Sequence, residues 1–84
     1  MTVMTREEIV AQLAEILNEV AGVVPADVAE EKSLVEELDV DSLAMAEVIV
    51  VAEERFGVEL PEEEMKDMRT VSDMVIRVEK RLAS

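Results

Sequence analysis

The sequence predicts an all-α fold, a four-helix bundle with a long loop between helices 1 and 2 and a short third helix. Half of the 84 residues are apolar but only one is aromatic, a composition that suits packed helices better than a β-sandwich. Apolar residues recur at helical spacing near both ends of the chain, and Gly and Pro residues separate the helical stretches. A chain of this length has room for one core, so we expect a single domain over residues 1–84.

The first helix is predicted over about residues 5–21. Its apolar face consists of residues three or four positions apart: Ile9, Leu13, Ile16 and Val20. Thr5 and Glu8 have the spacing of a capping box, in which each side chain bonds to the backbone N–H of the other residue. Gly22 favours the left-handed backbone that ends a helix, so we expect the helix to end just before it.

A long loop is predicted over residues 23–40. This stretch holds Pro25, several acidic residues and scattered apolar positions, a pattern too irregular for a helix. Three of the apolar residues are expected to pin the loop to the core: Val28, Leu34 and Leu38.

The second helix is predicted over about residues 41–55. Asp41 suits its N-cap, because a carboxylate accepts hydrogen bonds from free N–H groups and is favoured at the positive end of the helix dipole. Gly57 then interrupts the helix. Nine of the eleven residues from 42 to 52 are apolar, so this helix cannot bury all of its apolar surface in so small a chain.

The last two helices are predicted over about residues 61–68 and 70–82. Pro61 suits the first position of a helix, and three Glu residues follow it in the first turn, where negative charge is favoured. Thr70 and Asp73 have the spacing of a second capping box. The apolar residues of the last helix again have amphipathic spacing: Val71, Met74, Val75, Val78 and Leu82.

One stripe of the second helix is the candidate partner surface. Helical spacing places five residues along it: Leu43, Ala46, Glu47, Val50 and Glu54. Five others are left to face the remaining helices: Met45, Val48, Ile49, Ala52 and Phe56. Exposed apolar residues beside acidic ones are typical of a docking surface. The alternative is that this helix is the most buried one and that its acidic residues form a solvated surface.

Charge and composition exclude several classes of function. The formal net charge is −13, which repels nucleic acids and anionic membranes and attracts proteins with basic patches. Residues 27–67 hold fifteen acidic and three basic residues, so the middle of the chain carries this field. The chain has no His and no Cys, which removes the commonest general base, the thiol nucleophile and the usual zinc ligands. No secretory signal is visible, so we expect a cytoplasmic protein.

The segment 38–43, Leu-Asp-Val-Asp-Ser-Leu, with the apolar helix that follows it, resembles the attachment site of acyl and peptidyl carrier proteins, whose core is Asp-Ser-Leu. Residues 56–61 and 69–73 also fall where this family has corresponding segments. The resemblance covers about residues 7–82 and implies a four-helix bundle of acyl-carrier-protein type. The chain is most similar to type II fatty-acid carriers, and its Asp-x-Asp-Ser-Leu form to those of actinobacterial systems.

The resemblance implies that Ser42 is esterified by 4′-phosphopantetheine, delivered from coenzyme A by a phosphopantetheinyl transferase, with Asp41 and Leu43 completing the motif. The thiol of this arm then holds growing acyl chains as thioesters in fatty acid biosynthesis, and the protein itself catalyses nothing. A phosphate ester is physically favoured at a helix amino terminus, where free N–H groups and the helix dipole stabilise negative charge. Without this context, Ser42 is most simply a residue that satisfies free amides at a helix start.

The resemblance also implies roles for two groups of residues. Three acidic residues match partner contacts of the family: Glu47, Glu53 and Glu54. With Ala46 and Val50 of the stripe they form the expected partner surface. Seven residues match positions around a sequestered acyl chain, although composition alone assigns them to an ordinary core: Leu34, Phe56, Leu60, Met65, Met68, Val71 and Met74. The implied partners of this monomeric carrier are a phosphopantetheinyl transferase, a malonyl transacylase, ketosynthases and other synthase enzymes with basic patches.

Two positions depart from the family pattern. Asp39 stands where many members have Gly, and Asp adopts unusual backbone angles less freely than Gly does. Ala44 stands where many members have an acid, so one charged partner contact is missing. Both departures bear on the choice of partner.

Other interpretations of the motif are disfavoured or stay open. Asp39 and Asp41 have the alternate spacing of an EF-hand loop, but Val50 stands where a ligating Glu is required, so no metal site is expected. A hydrolase that uses Ser42 would lack both a nucleophile elbow and a His base. Two interpretations stay open: an acidic helical adaptor that is never modified, and a polyketide-synthase acyl carrier protein.

Overall fold

The computed structural model describes residues 4–65 and 67–83, and these are helical with connecting loops. The α-helices are α1 at Arg6–Ala21, α2 at Ser42–Phe56, the single turn α3 at Glu62–Met65, and α4 at Val71–Ala83. A 3₁₀ turn at Pro25–Asp27 lies between α1 and α2. Within the described ranges the only strand-like pairing is an isolated bridge between Ser33 and Thr70. The predicted all-α class is confirmed.

The ends of α1 are as the sequence predicts. The Thr5 hydroxyl accepts a hydrogen bond from the Glu8 N–H at 3.2 Å, and the Glu8 carboxylate accepts one from the Thr5 N–H at 3.1 Å. This capping box satisfies two donors that have no acceptor inside the helix. Gly22, with φ of 70°, ends the helix. The predicted apolar face is buried at Ile9, Leu13 and Ile16 and partly buried at Val20.

The loop between α1 and α2 is held to the start of α4 by backbone hydrogen bonds. The Leu34 N–H donates to the Arg69 carbonyl at 2.8 Å. The Val71 N–H donates to the Lys32 carbonyl at 3.0 Å. Two segments that are distant in sequence therefore lie side by side, an arrangement that no local pattern predicts.

Apolar residues anchor the same loop to the core, as expected. Leu34 and Leu38 are buried, and Val28 is partly buried against the core cluster. The sequence interpretation missed Val23 and Val40, which are also buried. Val40 directly precedes the start of α2, so its burial helps to fix where that helix begins.

The third helix is shorter than predicted. The sequence predicts it over residues 61–68, but α3 ends at Met65 and Asp67 lies in a turn; Lys66 is outside the described residues. A four-residue helix closes too few internal hydrogen bonds to be stable alone. The long helices account for the interhelical packing, in which α1 lies against both α2 and α4.

Two arginines attach α3 to α4. Arg77 Nε donates to the backbone carbonyl of Glu64 at 3.0 Å, and Arg81 donates to the Glu64 carboxylate at 2.8 Å. The hydrogen bond from Arg81 holds the pKa of the Glu64 carboxyl below its usual value. These side-chain donors replace part of the hydrogen bonding that so short a helix cannot supply.

The start of α4 has the predicted capping box. The Asp73 N–H donates to the Thr70 hydroxyl at 3.2 Å. The Asp73 carboxylate accepts hydrogen bonds from the Arg69 and Thr70 N–H groups at 2.9 and 3.1 Å. These two backbone donors lower the pKa of the Asp73 carboxyl from its ordinary value of 3.8.

One apolar cluster unites the long helices and the loop. It extends from Ile9 in α1 to Val78 in α4, and no polar or charged side chain of the described chain is buried. At the surface, Arg6 of α1 pairs with Glu30 of the loop and with Glu79 of α4. Of the described helices, none combines the length and apolarity that a membrane span requires.

The residue before the attachment motif adopts a left-handed backbone. Asp39 has φ of 55°, the only positive value among the described non-Gly residues. The turn directs Val40 into the core, and the Val40 N–H donates to the Leu34 carbonyl at 2.9 Å. This conformation costs most L-residues roughly 1–2 kcal/mol of conformational free energy, whereas Gly adopts it without strain and Asp and Asn tolerate it. The geometry therefore explains both the Gly of the resembled family and the Asp found here.

The Asp39→Val variant is expected to lose about 1–2 kcal/mol of unfolding free energy, because a β-branched side chain is strained in the left-handed region. Asp39→Asn removes the same charge and tolerates the backbone, so it should change stability little. Urea denaturation followed by circular dichroism measures both. Equal stability of the two variants would show that the left-handed turn does not constrain this position.

Asp73 gives the fold a specific dependence on pH. Because its pKa is lower in the folded chain than the ordinary 3.8, the carboxylate stabilises the fold fully above that value, and the contribution is lost as the pH falls through the folded-state pKa. Asp73→Asn should therefore be less stable than wild type at neutral pH, by up to about 1 kcal/mol, and the difference should shrink in more acidic solution. Asp67→Asn, exposed in its turn, is the matched control. A difference independent of pH would contradict the charge argument.

Candidate functional site

Ser42 is exposed at the first position of α2. Asp41 is the N-cap, and its carboxylate accepts a hydrogen bond from the Ala44 N–H at 2.8 Å. Capping, the alternative role for a Ser at a helix start, therefore belongs to Asp41. The Ser42 hydroxyl makes no hydrogen bond within the described part of the chain, so it is free to react.

The surroundings of Ser42 fit a phosphate ester. Amides in the first turn of a helix have no acceptor within it, and the positive end of the helix dipole lies at the same place. Asp41 occupies one of these amides, that of Ala44, and others are left for a phosphate on Ser42. The exposed carboxylates of Asp39 and Asp41 oppose a further negative charge, but exposed charges are strongly screened by water and salt.

The predicted stripe of α2 faces solvent along its whole length. Its five residues are all exposed: Leu43, Ala46, Glu47, Val50 and Glu54. Leu43 exposes 83% of its surface and Val50 exposes 53%. A shallow depression of about 270 Å³ on this face is lined by Ala46, Glu47, Val50 and Val51. Apolar side chains thus lie exposed beside carboxylates, and α2 is not the most buried helix, because it buries three residues whereas α1 buries five.

The other face of α2 is turned to the core as predicted. Val48, Ala52 and Phe56 are buried, and Met45 and Ile49 are partly buried against the core cluster. The helix is therefore amphipathic even though its sequence is apolar nearly all round.

Glu53 differs from the other acidic residues of this surface. It is partly buried, and its carboxylate accepts a hydrogen bond from the Leu60 N–H at 2.9 Å. Leu60 is buried just before α3. Glu53 therefore has a structural role that the sequence did not predict: it holds the connection between α2 and α3 in place.

The residues expected around an acyl chain belong to the core. Six of them are buried in the single apolar cluster: Leu34, Phe56, Leu60, Met68, Val71 and Met74. The side chain of the seventh, Met65, lies outside the described part of the structure. The cluster therefore brings together residues from the loop, from α2 and from the start of α4.

The acidic residues of the described chain form no group of three or more that could hold a metal ion. Asp41, one of the two with EF-hand spacing, is engaged as the N-cap of α2. Asp39 is exposed in its left-handed turn.

The sequence interpretation missed a groove beside the loop. This open groove has a volume of about 530 Å³ and is lined by Ser33, Val35, Glu36, Met68, Arg69 and Thr70. Its walls come from two segments that the hydrogen bond between Leu34 and Arg69 brings together. No local pattern could have revealed it, although an apolar Val35 beside the buried Leu34 is a weak sign of a partly covered surface.

Comparison with known proteins agrees with the site. A family model described as the phosphopantetheine attachment site matches residues 11–78. An acyl carrier protein of Acidothermus cellulolyticus is 56% identical over 72 residues, which are 86% of this chain and 86% of the relative. A meromycolate extension acyl carrier protein of Mycolicibacterium smegmatis is 49% identical over 90% of this chain and 77% of the relative. An acyl carrier protein of Thermobifida fusca is 47% identical over 90% of this chain and 96% of the relative.

A solved structure agrees with the fold. The crystal structure of an acyl carrier protein from Thermotoga maritima superimposes with a TM-score of 0.85 at 29% identity, over 99% of this chain and 96% of that one. The resemblance seen in the sequence is confirmed, together with the phosphopantetheine cofactor and the non-catalytic role that go with it. This chain belongs to the acyl carrier proteins, which carry acyl chains on phosphopantetheine in fatty acid synthesis.

Proposed function

We propose that Ser42 bears the phosphopantetheine arm and that Asp41 and Leu43 form the motif around it. The observation that carries this proposal is an exposed, unbonded Ser42 hydroxyl at a helix terminus that Asp41 already caps. In the attachment, the Ser42 oxygen bonds to the phosphorus next to the pantetheine of coenzyme A. Adenosine 3′,5′-bisphosphate leaves, and the Ser42 proton passes to a base of the transferase.

The arm supplies what the chain lacks. With no Cys and no His, the chain has no thiol of its own, and the terminal thiol of the arm holds growing acyl groups as thioesters. The residues of the chain attach the arm, present it to other enzymes and shelter its cargo.

The buried apolar residues named above are proposed to surround the acyl chain, with Met65 among them. Support comes from the absence of any buried polar or charged side chain in the described residues, so an acyl chain that parts this core meets only apolar surface. Methionine is flexible and adapts to irregular space, which suits Met68 and Met74 to a pocket that opens when it is filled.

The exposed stripe of α2 is proposed to dock the partner enzymes. Acyl carrier proteins work with synthase and modifying enzymes, and the specific partners proposed here are a phosphopantetheinyl transferase, a malonyl transacylase and ketosynthases. Glu47, Glu53 and Glu54 steer the carrier to basic surfaces, and Ala46 and Val50 supply apolar contact. Exposed ion pairs are weak and screened by salt, so each encounter is brief. A net charge of −13 opposes self-association and favours a monomer.

The proposal also covers the domain organisation of the chain and the compartment in which it works. Residues 1–84 form a single acyl-carrier domain, supported by the one apolar cluster that spans the described helices. The single turn α3, fixed by Arg77 and Arg81 to α4, acts as the short third helix of a four-helix bundle. The carrier works in the cytoplasm, where coenzyme A can supply its arm.

Incubation with coenzyme A and a broad-specificity phosphopantetheinyl transferase is expected to add the mass of one phosphopantetheinyl group. Intact-mass spectrometry measures the gain, and Ser42→Ala should abolish it. If the protein is folded and the transferase is active, the absence of any mass gain would contradict the proposal and favour an unmodified acidic adaptor. A gain that survives in Ser42→Ala would place the arm on another residue.

Glu47→Lys is expected to slow malonyl transfer by a cognate transacylase about tenfold at low salt, because it reverses a charge on the docking stripe. Stability should change by less than about 0.5 kcal/mol, since Glu47 is exposed and forms no ion pair with another described residue. Glu7→Lys makes the same change of net charge on the exposed side of α1 and is the matched control. Equal slowing by both variants would mean that net charge, not this stripe, governs docking.

A further inference from the structure

Arg69 is the one described arginine whose guanidinium makes neither an ion pair nor a hydrogen bond. Each of the others is bonded to a carboxylate or a backbone carbonyl: Arg6, Arg55, Arg77 and Arg81. The Arg69 backbone is nevertheless fixed, because its N–H donates to Asp73 and its carbonyl accepts from Leu34. An anchored cation with an exposed, unpaired side chain on a chain of net charge −13 is suited to a mobile acidic ligand.

Arg69 lines the open groove of about 530 Å³ beside the loop. Val35 exposes 59% of its surface, and with Met68 it gives the groove an apolar wall. Ser33 and Thr70 add hydroxyl groups. The combination of an apolar wall, hydrogen-bonding groups and a single unpaired cation fits a short aliphatic ligand that ends in a carboxylate.

The groove lies within reach of an arm on Ser42. The Arg69 carbonyl accepts from the Leu34 N–H, and the Leu34 carbonyl accepts from the Val40 N–H, at 2.8 and 2.9 Å. With standard bond lengths, one backbone N–H···O bond joins Cα atoms that are at most about 7 Å apart, and the two residues from Val40 to Ser42 span at most about 7 Å. The path from Arg69 to Ser42 is therefore at most roughly 21 Å. An extended phosphopantetheine arm covers roughly 17 Å at the rise per bond of an extended backbone, and the acyl group adds to this.

We propose that this groove binds acyl groups that end in a second carboxylate, such as malonyl, while they are attached to the arm, and that Arg69 pairs with that carboxylate. The proposal rests on the attachment of the arm at Ser42. Acyl groups without a second carboxylate gain nothing from Arg69 and are left to the apolar core. The carrier thereby holds its two classes of cargo in two different places.

Glu36 lines the same groove and acts against the proposed ligand. It makes no ion pair with Arg69 in the structure, so the guanidinium stays available, but its carboxylate repels a second one. Exposed pairs of this kind are weak and screened by salt. The fraction of molecules in which the malonyl group occupies the groove should therefore exceed the fraction for an uncharged acyl group by no more than roughly fivefold.

The test loads the protein from malonyl-coenzyme A and, in parallel, from butyryl-coenzyme A, which has a similar length but no second carboxylate. Loading is first verified by intact mass, and NMR then follows the Arg69 side-chain Nε–H and the backbone amides of Val35 and Thr70. We expect shifts at these three groups that the malonyl form shows and the butyryl form lacks, and these shifts should diminish as salt is added.

Three variants sharpen the test, and circular dichroism verifies that each is folded. Arg69→Gln should abolish the malonyl-specific shifts at Val35 and Thr70, whereas Glu36→Gln should enlarge them by removing the repulsion. Arg55→Gln, which removes a guanidinium paired between α1 and α2, should leave them unchanged.

Two results overturn the groove assignment while leaving Ser42 in place: identical shifts in the malonyl and butyryl forms, or malonyl-specific shifts that survive Arg69→Gln. An effect of Arg69→Gln on partner enzymes without any change in these shifts would likewise overturn it and make Arg69 a docking residue. A chain that gains no mass at Ser42 rejects the attachment and the groove assignment together.

Discussion

The backbone hydrogen bonds between the loop and the start of α4 determine where the functional parts of this carrier lie. They join Leu34 to Arg69 and Lys32 to Val71. Two segments that α2 and α3 separate in sequence therefore become neighbours. The loop, once fixed, presents Val40 to the core and starts α2 at Ser42. The open groove depends directly on these hydrogen bonds, because its two walls come from the segments that they join.

Apolar and acidic residues are separated in this fold: the apolar ones form the core and the acidic ones lie at the surface. The described core is wholly apolar, so none of the described residues carries a buried charge whose removal from water would have to be offset. The described acidic side chains lie at or near the surface, where they carry the negative field of the chain. Four of them also stabilise the fold, since each is bonded to a backbone donor or to arginine and has a lowered pKa: Glu8, Glu37, Glu64 and Asp73.

The local rules of helix formation made much of this structure predictable. The helix caps are formed between residues three positions apart, by Thr5, Asp41 and Asp73. Their roles can therefore be predicted from the sequence alone. The end of α3 was not predictable, because Glu64 is held by arginines of α4 that are more than twelve positions away. The groove was not predictable for the same reason, because its two walls come from segments that are distant in sequence. Ser42 could be proposed from the sequence because its motif is contiguous.

The hydrogen bond from Leu60 to Glu53 limits how this carrier can evolve. A residue that only faces solvent can change whenever a new partner enzyme favours a different charge. Glu53 cannot change so freely, because any substitution that removes its acceptor oxygen also releases the N–H of a buried neighbour. On the proposed docking surface, Glu47 and Glu54 can therefore change charge without disturbing the interior, whereas position 53 must keep an acceptor for the Leu60 N–H.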